Sequence, residues 1–231
     1  MSFNNDYADT RYVVVFDCES DSSFNNLPGN SQEEKLRFMQ FTVACAAVIP
    51  CDVIEKNKSI CEILLHTKTK FWWRDAAERD HNPIISLLDL FDGAEVIVGY
   101  NCLSFDFPLL KRFYCPSNKV SSMQRYVNHR SKTLDIMNRV RDATGSYYKL
   151  DQLLKLNKLK TKSSNGLEAI KMWERNEREE LKSYCEMDVL LTAQLSLIDG
   201  LVTKENLYIP NKYFGISSMI RPKLCDNIRR R

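Results

Sequence analysis

Residues 12–16, YVVVF, form a short continuous apolar run rich in β-branched side chains. A strand covered on one face alternates apolar with polar residues, whereas one that is apolar throughout reads as covered on both faces, in the centre of a sheet. This run passes straight into FDCES. Asp17 and Glu19 are two apart, so a strand turns both side chains to one face. They stand at the strand's C-terminal end, where open α/β sheets bind ligands. Two carboxylates that close repel, and each raises the other's pKa unless a cation holds them. An ordinary polar strand end carries the same D-x-E, so the pair decides nothing alone.

Further strands are expected at MQFTVACAAVI (39–49), ICEILLHTK (60–68), VIVGY (96–100) and TLDIM (133–137). The Ser-, Asn-, Pro- and Gly-rich segment 20–37 reads as a loop, PCDVIEKNKS as a turn, 139–149 as a loop and LKTKSSNG (159–166) as a basic linker. Helices are expected within 72–94, ending near Gly93, and over 104–114, 150–158, 166–175 and 178–199. Three early strands without intervening helices suggest an antiparallel meander, and the later β–α–β alternation adds parallel strands. The expected fold class is α/β, a mixed five-stranded sheet flanked by helices. At 231 residues, one such domain over 1–199 and a C-terminal extension over 200–231 are expected.

No apolar run reaches the roughly 18 residues of a membrane span. MSFNNDYADTR has neither the basic nor the apolar region of a secretory signal. The expectation is an intracellular protein, cytoplasmic or nuclear, not secreted and with no membrane partner. The eight cysteines show no C-x-x-C, and several lie in apolar runs such as VACAAV, as reduced core residues do. The three histidines are not paired with cysteine at ligand spacing, so no zinc site is assigned. A net charge of +3 permits a nucleic-acid partner without demanding one, and the terminal IRRR reads as a solvated end.

The late segment REELKSYCEMDVLLTAQLSLI carries apolar residues at helical spacing: Leu181, Tyr184, Leu191, Leu195 and Ile198. Asp188 falls on that stripe. A buried carboxylate is costly unless partnered, by Arg, Lys, backbone N–H groups or a metal. Between the two acidic places, VIVGY leads into NCLSFDFPLL. Gly99 lets the backbone turn, and Asn101 or Ser104 can cap the next helix. Asp106 lies near that helix's start, where Pro108 is tolerated and the dipole favours an anion. Phe105 reads as core, with stacking on a base as the alternative.

The chain thus has D-x-E on a central strand, N-x-x-x-F-D at a strand-to-helix junction and Y-x-x-x-D on a late helix. In this order and setting, over residues 12 to 199, it resembles the DEDD exonuclease superfamily in its tyrosine subclass. Within that group it resembles the proofreading exonuclease domains of family B DNA polymerases and related stand-alone nucleases. The resemblance implies an RNase H-like fold and 3′-to-5′ hydrolysis of phosphodiester bonds. The implied partner is single-stranded DNA with a 3′ end, the products 5′-mononucleotides, and the cofactors two Mg²⁺ or Mn²⁺ ions. It implies that Asp17, Glu19 and Asp188 hold one ion, and that Asp17, with Asp106 through water, holds the other. Tyr184 is then a water-positioning group, because a tyrosine of ordinary pKa, about 10, is a poor general base at neutral pH. Ser20, Asn101 and Phe105 are expected to touch substrate. Ser20 stands where the family often has Thr, and no Gly-Leu pair follows it.

Two alternatives remain on the same fold: a non-cutting module that binds nucleic acid or protein, and a structure-specific endonuclease or ribonuclease. Asp135 is read as a strand-end residue, with a fifth acidic residue near the site as the alternative; Trp72, Trp73 and Trp173 are read as packing rather than stacking on bases, and Lys149, Lys160 and Lys162 as a solvated basic loop rather than phosphate contacts. Protein partners are not legible.

Overall fold

In a computed structural model that describes residues 10–56, 58–75, 83–114, 120–161 and 166–220, the YVVVF run lies in β1 (Tyr12–Ser20), the middle strand of five. β2 (Phe41–Pro50) pairs antiparallel with β1, and β3 (Lys68–Trp73) antiparallel with β2. On the other side, β4 (Val96–Gly99) and β5 (Thr133–Asp135) continue in parallel. The strand order is β3-β2-β1-β4-β5. The described helices are α1 (Gln32–Leu36), α2 (Cys51–Glu55), α3 (Ile60–Leu65), α4 (Pro83–Gly93), α5 (Asp106–Tyr114), α6 (Val120–Ser131), α7 (Ile136–Thr144), α8 (Leu150–Leu156), α9 (Gly166–Glu174), α10 (Arg178–Leu197) and α11 (Asn211–Phe214).

The two faces of β1 account for two cores. Val13 and Val15 pack with Val43, Cys45 and Val98 under α10, through Leu181, Cys185 and Val189. Val14, Phe16 and Cys18 pack the other way, against α4 and α5. There Phe16 meets Phe91 and Phe107 edge-on, with centroids 4.8 and 5.4 Å apart. A strand covered twice needs no polar residue until it reaches the edge of the layers, which is where Asp17 and Glu19 begin.

The third strand lies one segment later than expected. Residues 60–65 form a helix because Ser59 starts it with a reciprocal cap: the Glu62 N–H donates to Ser59 Oγ at 3.3 Å, and the Ser59 N–H to Glu62 Oε2 at 3.0 Å. The true third strand, β3, is an edge strand and carries Lys68 and Lys70, which masks its periodicity. The expected turn 50–59 holds α2, and the expected loop 139–149 is mostly α7, which begins as soon as the short β5 ends. α6 was not anticipated. The 20–37 segment contains a 3₁₀ turn at Phe24–Asn26 and the short α1.

After α10 the chain forms a small hairpin, β6 (Gly200–Val202) with β7 (Tyr208–Pro210). Leu201, Phe214 and Ile216 are fully buried in the core beneath α10. Lys162 and the IRRR end lie outside the described residues. No described helix is long and apolar enough to cross a membrane.

Candidate active site

Asp17 and Glu19 leave β1 on the α10 side, Asp17 half-buried and Glu19 buried. α10 crosses this end of the sheet with Tyr184, Cys185 and Asp188 buried. The Cys185 thiol donates to the Asp17 carbonyl at 3.7 Å. One ligand atom each from Asp17, Glu19 and Cys185 lie within 4.8 Å of one another. Asp188 follows Cys185 by three residues, on the same side of the helix. Glu19, Tyr184 and Asp188 are each only 7–8% exposed.

Asp106 reaches the same end by a different route. β4 stops at Gly99, where a Cβ would stand 2.6 Å from Cys102 Cβ and 3.3 Å from the Phe16 carbonyl. The strand can pass β1 that closely only with glycine. Asn101 then takes a left-handed conformation, φ +63°, which Asn tolerates better than most residues. Its carbonyl accepts from the Ser104 and Phe105 N–H groups at 3.2 and 3.1 Å. Asp135, at the end of β5, grips the turn by accepting from the Asn101 and Leu103 N–H groups, both at 3.0 Å. α5 starts at Asp106, whose Oδ1 accepts from the Cys18 N–H at 2.7 Å. The second acidic motif is therefore tied to the backbone between the two carboxylates of the first.

The electrostatics agree with this convergence. Burial pushes the Asp106 carboxyl up to about 7, against the pull of its backbone donors. The Cys18 thiol is driven well above its ordinary value by burial and then by the charges of Asp106, Asp17 and Glu19. The charges of all three carboxylates are thus felt at one buried thiol. A carboxylate raised by burial is what a cation corrects. The hard oxygens of Asp17 and Glu19 fit a divalent ion such as Mg²⁺ or Mn²⁺.

The other expected residues are placed as follows. The Ser20 hydroxyl donates to the Ser22 carbonyl at 3.0 Å, which leaves it only acceptor capacity and makes it part of the turn after β1. Phe105 is half-buried and meets Phe24 edge-on at 5.9 Å, so it joins the second motif to the 20–37 segment. Trp72 is buried and donates to Ser86 Oγ at 2.7 Å, and the Arg178 guanidinium lies 3.4 Å from the centre of the Trp173 ring. Those aromatics pack within the protein. Two contributors were missed. Asp135 was read as a mere strand end, yet its side chain organises the turn that carries Asp106. Cys185 was given no role of its own, and its approach to Asp17 depends on how α10 docks, which local sequence does not record.

Residues 63–197 match the RNase_H_2 family of the RNase_H superfamily. The chain belongs to the RNase_H superfamily. Proteins of this superfamily are generally nucleases that use divalent metals. Among solved structures, the fold is similar to that of the family B DNA polymerase from the hyperthermophilic archaeon Pyrobaculum calidifontis. The TM-score is 0.51 at 19% identity, over 80% of this chain and 24% of the polymerase. At that identity the likeness is one of fold, and this RNase_H-superfamily chain spans about a quarter of the polymerase's length. No curated protein matches it in sequence.

Proposed function

We propose that this chain is a metal-dependent 3′-to-5′ exonuclease that shortens single-stranded DNA and releases 5′-mononucleotides. What supports the reading is that Asp17 and Glu19 leave β1 side by side, Asp106 accepts from the Cys18 N–H between them, and the turn of α10 that carries Tyr184 and Asp188 brings Cys185 against Asp17.

Asp17, Glu19 and Asp188 would hold one divalent ion, and Asp17, with Asp106 through water, the second. Two such ions, when bound, stabilise the attacking and leaving oxygens of an in-line displacement. Tyr184, one helical turn before Asp188, holds and orients the water that attacks the terminal phosphodiester. Asp106 needs its negative charge for this work. Because burial raises its carboxyl to about 7, a bound cation returns it to the ionised form at neutral pH. Phe105 and Asn101 border the place where the terminal nucleotide lies. A single strand suits the reading better than a duplex, whose end must fray first at roughly 1–2 kcal/mol per base step. The 3′ polarity rests on the resemblance of the three motifs, in this order, to the DEDD exonuclease superfamily.

The test uses 5′-labelled oligonucleotides with free or blocked 3′ ends, in Mg²⁺, Mn²⁺ or EDTA. Stepwise shortening that needs metal, stops at a blocked 3′ end and disappears in Asp17→Ala supports the reading. Internal cuts, equal cutting of the blocked substrate, or full activity in EDTA would each refute it. Tyr184→Phe separates positioning from binding: kcat should fall by orders of magnitude while KM stays near its original value.

A further inference from the structure

On the motif side of the sheet, the α7–α8 connection and the β6–β7 turn enclose an open cleft of about 520 Å³, within the range of small-ligand sites. Its walls include Tyr147, Tyr148, Lys155 and Lys204. Tyr147 is 66% exposed, so its ring is open to a ligand. It is nevertheless held in position. Arg141 donates to its hydroxyl at 3.0 Å, and the guanidinium lies 5.4 Å from the ring centre. The sharp turn that delivers it is made at Gly145, which ends α7 with φ +73°. Tyr148, by contrast, is buried and fixes the two walls together through its hydroxyl bond to Glu205. That bond lowers the Glu205 pKa, so the carboxylate stays ionised against Tyr148. Lys204 is exposed, and Lys155 pairs with the partly exposed Asp151, at 2.6 Å. Surface pairs of this kind contribute little and exchange readily for a phosphate.

The cleft is joined to the candidate active site. The Tyr100 hydroxyl donates to the Tyr148 carbonyl at 2.6 Å. Tyr100 directly precedes Asn101, the residue that Asp135 grips. The Asp135 charge adds to burial in raising both Tyr100 and Asp106, so it stands close to each.

We propose that this cleft seats a nucleotide of the single-stranded substrate several positions from the cleaved end, with its base on Tyr147 and its phosphates on Lys155 and Lys204. The inference rests on the exonuclease reading. Aromatic stacking plus a cationic track is how single strands are held without reading their sequence. A ring already ordered by Arg141 loses little freedom on stacking, which favours binding. Its lining shares no residue with the candidate active site, so it acts on grip and not on bond cleavage.

The experiment compares a dinucleotide with a 12-nucleotide strand. Tyr147→Ala should raise KM for the long strand about tenfold, the middle of the range for a lost base stack. It should leave kcat, and both constants for the dinucleotide, unchanged, and Tyr147→Trp should restore the long-strand KM. Removing Lys155 and Lys204 should make log K against log salt shallower by about 0.7 per lysine. An unchanged long-strand KM in Tyr147→Ala, or equal losses on both substrates, overturns the proposal. Binding of a fluorescent 12-mer in EDTA keeps the two readings apart. If the wild type cuts nothing but binds the 12-mer through Tyr147, the exonuclease reading fails and the cleft stands. If it cuts normally while Tyr147→Ala binds as the wild type does, only the cleft fails.

Discussion

Asp135 gives the sharpest test of how the site is held. Its carboxylate is 2% exposed. It accepts from the N–H groups of Asn101 and Leu103 at 3.0 Å each and of Asn138 at 3.3 Å. Asp135→Ala removes three hydrogen bonds, accepted by two oxygens, at once. A buried donor left unsatisfied costs about 1–3 kcal/mol. The Asn138 group lies at the first turn of α7, where water can replace the cap at about 1 kcal/mol. The sum is roughly 3–7 kcal/mol, a large part of the stability of a domain this size. Asp135→Asn keeps one carbonyl oxygen but turns an NH₂ toward a donor, so it should cost about 1–3 kcal/mol and leave the fold intact. The gentler variant is the informative one. It loosens the turn from Asn101 to Asp106, and activity should fall by more than the stability loss alone explains. Urea midpoints give the stability term, and kcat/KM under conditions where both variants remain folded gives the other. A cost below about 1 kcal/mol for Asp135→Ala, or full activity in Asp135→Asn, would refute the claim that this side chain organises the second motif.

Divalent ions should stabilise the protein by mass action, by about 2.7 kcal/mol at a concentration 100 times Kd. That corresponds to roughly 5–11 °C in melting temperature. Millimolar Mn²⁺ should give this shift in the wild type and not in Asp17→Ala, as scanning calorimetry can show. His129 is buried, with Nδ1 accepting from the Tyr114 hydroxyl at 2.8 Å and Nε2 donating to Asp92 at 2.6 Å. Burial outweighs the Asp92 carboxylate and lowers its pKa. The neutral form is favoured on folding, so its stabilisation is complete above the unfolded pKa of about 6.5 and lost as pH falls through the lower folded value. Urea midpoints should drop below about pH 6.5 in the wild type and drop less steeply in His129→Gln. Phe214→Ala should cost about 3–5 kcal/mol by the same assay, because the ring is fully buried; a neutral result would mean that the segment after Gly200 is only loosely attached.

The legible parts of this molecule were those fixed by local periodicity. β1 announced itself because a doubly covered strand has no polar residue, and Asp17 with Glu19 followed from simple alternation. α10 was equally plain from its stripe, Asp188 included. β3 was misplaced because an edge strand carries Lys68 and Lys70, while the apolar ICEILL next to it is a capped helix. α7 was obscured by its own short polar composition, and its start depends on Asp135, whose cap only the folded chain displays. The contacts that assemble the site were beyond reach for a common reason. Asp106 to Cys18, Asp135 to Leu103 and Cys185 to Asp17 are all made to backbone groups, and the backbone carries no sequence signal.

Two of those contacts span 88 and 168 residues of chain. Closing loops of that length is entropically late work, and parallel pairing such as that of β1 with β4 is slow for the same reason. On the metal-site reading proposed above, the carboxylates meet only once β1, β4 and α10 have docked, and we propose that this last step follows the main barrier to folding. Their mutual repulsion does not slow assembly; it hastens opening. A cation bound among them reverses that second effect alone. It lengthens the lifetime of the folded state and leaves the folding rate where it was, so that resistance to unfolding follows the metal supply while the speed of maturation does not.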